Sequence, residues 1–100
     1  MQESAVTVEF IGPFRELSGL RRISIPIDGS VSLEQLLDRL SALFGSNFRK
    51  RVTIEETGQL NSDQTMVILN GTILPPTRHK DVRIGSGDKV VFAVPLAGGG

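Results

Sequence analysis

Near its C-terminal end the chain carries Lys89-Val90-Val91-Phe92-Ala93-Val94, a run whose apolar residues fall on both sides of any strand it forms. Such a strand has little polar face to offer water, so it belongs in the middle of a sheet with neighbours on both sides. The rest of the chain must supply those neighbours. With 100 residues, 39% of them hydrophobic, there is material for one core and one domain and not for a second.

The candidate partners can be read in order. Val6-Thr7-Val8-Glu9-Phe10 alternates and predicts a strand with Val6, Val8 and Phe10 on one face. Gly12-Pro13 breaks it, and Ser18-Gly19 lets the chain turn into Arg22-Ile23-Ser24-Ile25-Pro26-Ile27, a second alternating strand that Pro26 assigns to a sheet edge. Ser32 with Gln35 forms a capping box, with Val31 and Leu36 placed as a hydrophobic staple, so a helix starts there. Leu33, Leu36, Leu37, Leu40, Leu43 and Phe44 make its apolar stripe, and Gly45 ends it. Residues 46–63 show no sustained period and predict a loop with a short turn or irregular strand around Val52 to Glu55. Met66 to Leu69, Asn70-Gly71 and Thr72 to Leu74 then read as a tight hairpin closed by Pro75-Pro76. This order puts the last strand parallel to the first with the helix across one face: an α+β, β-grasp arrangement with a mixed sheet.

Composition removes several function classes. No cysteine occurs, which excludes a disulfide framework, a thiolate metal site and a thiol nucleophile. Eleven basic residues balance eleven acidic ones and the only aromatics are five Phe, so the footprint of a nucleic-acid binder is absent. The polar start Met1-Gln2-Glu3-Ser4 and the lack of a long apolar run argue against a signal peptide or membrane span, leaving the cytoplasm as the expected location. His79 has no second imidazole or cysteine to complete a metal site. Glu55, Glu56 and Asp81 are expected to be surface charges, and Arg49-Lys50-Arg51 a solvated face able to steer an acidic partner. Gly85-Ser86-Gly87 precedes a strand and not a helix, so ATP is not expected to bind this chain alone.

What remains is Pro95-Leu96-Ala97-Gly98-Gly99-Gly100. We read residues 1–95 as the domain and residues 96–100 as a flexible tail, because ordering glycines costs about 1–2 kcal/mol per residue with no side chain to offset it. From Ala97 to Gly100 the tail can span at most roughly 14 Å. A chain without Cβ atoms can thread a narrow channel and present its terminal carboxylate, ionised at neutral pH, to the α-phosphate of ATP held by another protein.

The order of these pieces resembles the small subunit of molybdopterin synthase and, with it, the ubiquitin-like sulfur-carrier family that includes the thiamine-pathway carrier and archaeal ubiquitin-like modifiers. The residues that carry the resemblance are the first strand with Phe14-Arg15-Glu16-Leu17-Ser18-Gly19, the helix from Ser32, Val67-Ile68-Leu69-Asn70-Gly71, Gly87-Asp88-Lys89-Val90 and the ending Pro95-Leu96-Ala97-Gly98-Gly99. The resemblance implies a terminal glycine that is adenylated by a ubiquitin-activating-type enzyme and converted to a thiocarboxylate with sulfur from a sulfurtransferase. It implies insertion into the large subunit of molybdopterin synthase, where sulfur passes to a pterin precursor, with no cofactor on the carrier and ATP acting through the activating partner. It also places Arg15 and the exposed side of the last strand on the docking surface, with Phe92 and Val94 as apolar contacts and Pro95, Leu96, Ala97 and Gly98 leading to the reactive end. Periodicity alone assigns Phe92 to the core instead. The family ending has two glycines, whereas Gly100 adds a third here, so the acyl donor is either Gly100 or, after trimming, Gly99. A protein modifier joined through the same glycine, and an interaction module with an inert tail, are the competing functions.

Overall fold

The computed structural model describes residues 4–57, 59–61, 63–75 and 82–95; the expected tail, His79 and Asp81 lie outside the described residues. Strand β1 (Ala5–Phe10) buries Val6, Val8 and Phe10 and turns Ala5, Thr7 and Glu9 the other way. After it come α1 (Pro13–Ser18), β2 (Arg22–Pro26), β3 (Ser30–Ser32), α2 (Leu33–Phe44) and α3 (Ser46–Val52). Then follow β4 (Met66–Leu69), β5 (Thr72–Ile73), β6 (Arg83–Gly85) and β7 (Lys89–Ala93).

The main sheet has the order β2-β1-β7-β4-β5, so the apolar final strand is central. It pairs in parallel with β1, from Thr7 opposite Lys89 to Phe10 opposite Phe92, and antiparallel with β4. Strand β2 is the edge that Pro26 predicted. The result is the expected β-grasp, a mixed sheet with α2 as its main helix, and a small sheet of β3 and β6 is added beside it.

Helix α2 forms as its cap signature requires: Ser32 Oγ accepts from Gln35 N at 3.1 Å, and Ser32 N donates to Gln35 Oε1 at 2.9 Å. Leu33, Leu36, Leu37 and Leu40 are fully buried. Leu43 departs from the expected stripe and is 57% exposed. At about 100° per residue the core-facing row runs 33, 37, 40, 44, so Phe44 takes the inward place at the last turn.

Two helices replace expected loops. Within the first hairpin connection, Pro13 starts α1 with its fixed φ, and Gly19, in the left-handed region, ends it. Helix α3 overturns the loop predicted after Gly45, because Phe48 and Val52 stand one turn apart and both are fully buried. All five phenylalanines meet in one cluster, with Phe10 against Phe44 at 5.5 Å, Phe48 against Phe92 at 5.3 Å and Phe14 against Phe92 at 6.0 Å between ring centres.

The Asn70-Gly71 turn has φ of 50° and 85°, the doubly left-handed geometry its sequence predicts. It is also tied to the start of β7. Asn70 Nδ2 donates to Asp88 Oδ1 at 3.0 Å, and Lys89 N donates to Asn70 Oδ1 at 2.9 Å.

Candidate functional site: the exit of the central strand

The sheet releases β7 within two residues. On one side the parallel ladder ends where Ile11 N donates to Phe92 O at 2.9 Å. The next residue, Gly12, has φ 64° and ψ −133°, a conformation open to glycine and strained for other residues, and it diverts the chain into α1. On the other side β4 begins at Met66, opposite Ala93. Beyond Ala93 neither neighbouring strand continues, and Pro95 has no N–H to pair. The strand's pairing therefore ends at Ala93 and the chain leaves the sheet.

The expected site residues are distributed unevenly around this exit. Arg15 is exposed on α1, and its Nε donates to Phe10 O at 3.3 Å, which holds it beside the end of β1. Val94 is half-buried and packs against the core; its Cγ2 lies 3.8 Å from where a Cβ on Gly12 would stand. Pro95 is half-buried at the exit. Phe92 is corrected: at 0% exposure it belongs to the aromatic cluster, and a partner cannot touch it without opening the core. Leu96, Ala97, Gly98, Gly99 and Gly100 lie outside the described residues.

The exposed side of β7 is carried by Val91, which shares a face with its cross-strand partner Ile68 and through it with Ile73. Val91 and Ile68 are half-buried, Ile73 is 57% exposed, and Met66 pairs with buried Ala93 on the same face. The sequence reading missed these residues as a group. The signal was present in the alternation of Val91 and Ala93 with Phe92, but the run is apolar on both sides and does not say which side stays uncovered. The β1 and β2 half of this face is polar: Glu9 stands 3.4 Å from both Arg22 and Lys89.

A cavity of about 440 Å³ lies elsewhere, between α2 and α3, lined by Glu34 and Ser41 on one side and Ser46, Arg49 and Lys50 on the other. Among the described residues no three His, Cys, Asp or Glu side chains converge on a point that could hold a metal. No helix among the described residues is long and apolar enough to cross a membrane.

Solved structures share the architecture. The HVO 2177 protein of Haloferax volcanii is 22% identical with a TM-score of 0.76, over 95% of this chain and 86% of that one. A protein of Pyrococcus furiosus described as molybdopterin converting factor, subunit 1, is 20% identical with a TM-score of 0.72, over 93% of this chain and 99% of that one. Small archaeal modifier protein 1 of H. volcanii is 20% identical with a TM-score of 0.73, again over 93% and 99%. At these identities the likeness establishes the ubiquitin-like fold. No curated protein sequence matches the chain. The model of the ThiS family matches residues 8–99, nearly the whole chain. The chain thus belongs to the ThiS family, the ubiquitin-like sulfur carriers that its sequence resembles.

Proposed function

We propose that the protein carries sulfur as a thiocarboxylate on its C-terminal glycine and donates it in molybdopterin synthesis. The observation that carries this reading is the exit of β7: a buried central strand loses both neighbours at Ala93 and is followed in sequence by Leu96-Ala97-Gly98-Gly99-Gly100. A carboxylate oxygen of the terminal glycine attacks the α-phosphorus of ATP on an adenylating enzyme, and pyrophosphate leaves. The terminal persulfide sulfur of a sulfurtransferase then attacks the acyl carbon and AMP departs, leaving an acyl disulfide; a thiol attacks the sulfur on the sulfurtransferase side, a disulfide forms there, and a thiocarboxylate remains. The large subunit of molybdopterin synthase receives it. The β7-β4-β5 half of the open sheet face, with Val91, Ile68 and Ile73, serves as the docking surface beside Arg15 and Val94.

The modifier reading uses the same first step, with a lysine amine displacing AMP in place of sulfur. The fold does not separate the two, since the molybdopterin factor and the archaeal modifier match this chain equally well. Their products do.

Deleting Gly98 to Gly100 tests the reading. Thermal stability is expected to stay nearly unchanged, since no core side chain is lost, while adenylation and sulfur loading by the activating enzyme of the same organism disappear. A chain ending at Gly99 that is loaded when the full chain is not marks Gly100 as a processed residue; loading of the full chain alone marks Gly100 as the donor. Mass spectrometry that finds no adenylation of either form refutes the carrier function. An isopeptide link to lysine in place of a terminal thiocarboxylate replaces it with the modifier function.

A further inference from the structure

The basic run Arg49-Lys50-Arg51 lies on α3, and the fold gives its members three different surroundings. Arg49 forms an ion pair with Asp38 of α2. Lys50 is exposed. Arg51 is half-buried, with its guanidinium carbon 5.9 Å from the centre of the Phe14 ring and its Nε–H shut away from solvent with no acceptor among the described residues.

That arrangement is incomplete. The face of an aromatic ring attracts the cation but accepts no strong hydrogen bond, so the Nε–H loses its water without a replacement. A buried donor in that state calls for an explanation. Its surroundings suggest one. Phe14 sits on α1 against Phe92, two residues before Val94, and its neighbour Arg15 is exposed at the same end of the sheet. The carboxylates paired among the described residues are Glu9 and Asp38, and neither pairs with Arg15 or Arg51.

We infer that Arg51 is a docking residue for a carboxylate on the surface of the adenylating enzyme, an inference that rests on the sulfur-carrier reading. On contact the side chain swings off Phe14 and gives Nε–H and one Nη–H to the two carboxylate oxygens, supplying the acceptor that Nε–H does not find among the described residues. Arg15, next to Phe14 in the chain and held at the end of β1, adds positive charge at the same end of the sheet. A phosphate has compatible geometry, but Arg51 does not line the cavity between α2 and α3, and the sulfur-carrier reading brings a protein surface to this end of the sheet, which fits an acidic side chain of a protein partner better than a nucleotide.

Pyrophosphate exchange by the activating enzyme, with the full chain as substrate, reads the effect. For Arg51→Ala the KM for the carrier is expected to rise about tenfold with kcat unchanged. Arg51→Lys, which keeps the charge but not the two-pronged donor set, is expected to recover only a small part of this. A thermal melt of each variant separates misfolding from lost docking. A folded Arg51→Ala chain with KM within about twofold of the parent overturns the inference, as does full recovery with Lys. If the parent chain itself supports no exchange, the sulfur-carrier reading fails instead, and a second measurement then decides about Arg51. The Arg51 Nε–Hε resonance is followed by NMR while a glutamate-rich peptide or inorganic phosphate is added to the full chain. Movement with the peptide and not with phosphate is expected. Movement with phosphate alone, or with neither, overturns the carboxylate assignment.

Discussion

At Phe92 two demands meet: a docking surface needs an apolar side chain that a partner can reach, and a core needs one that water cannot. The core takes it, because Phe92 is the residue against which Phe10, Phe14 and Phe48 all pack. The leucines of α2 divide in the same way. Leu37→Ala or Leu40→Ala should cost about 2–5 kcal/mol in a urea melt, since both are fully buried and a cavity would remain. Leu43→Ala should cost less than about 0.5 kcal/mol, because that side chain is already mostly in water. Equal costs at Leu40 and Leu43 would contradict the orientation of the helix.

Among the elements, legibility followed how much of the signal was local. Helix α2 could be read because its cap bonds and its stripe all lie within residues 31–45. Ser32→Ala should therefore remove about 1 kcal/mol. Adding Gln35→Ala should cost less than the sum of the single changes, as the two side chains close one reciprocal cap. Helix α3 could not be read so directly. Its seven residues are too few to be stable alone in water, and they hold three consecutive basic side chains. What supports it is burial of Val52 and of Phe48, the latter against aromatic residues from β1, α1 and β7 that lie far from it in the chain. Phe48→Ala should then cost about 3–5 kcal/mol, and a loss below 1 kcal/mol in the same urea melt would remove that account. Helix α1 escaped for a related reason: Gly12-Pro13 reads equally as a stop for β1 and as a helix start, and the choice is made by burial of Phe14.

For the molecule as a whole, the two faces of the main sheet do different work. One holds the aromatic cluster under the helices, and the other keeps an apolar half on β7, β4 and β5 beside the strand exit. Ile73→Thr keeps a β-branched residue in the strand while removing apolar surface, so the melting temperature should hardly change. With this face as the docking surface, the Kd for the large synthase subunit should rise about fivefold, from roughly 1 kcal/mol of lost apolar contact. An unchanged Kd would move the docking surface elsewhere. The amino-acid sequence by itself determined the apolar last strand that has to be central, the main helix, the Asn70-Gly71 turn and the glycine ending, because each depends on periodicity or on backbone chemistry within a few neighbouring residues. Only the tertiary structure decided between the core place that periodicity gives Phe92 and the docking role that the resemblance gives it, that Val91, Ile68 and Ile73 form one open face, and that Arg51 finds no Nε–H acceptor among the described residues. Those outcomes depend on which segments, distant in the chain, come to cover one another, and a burial of that kind leaves no local pattern.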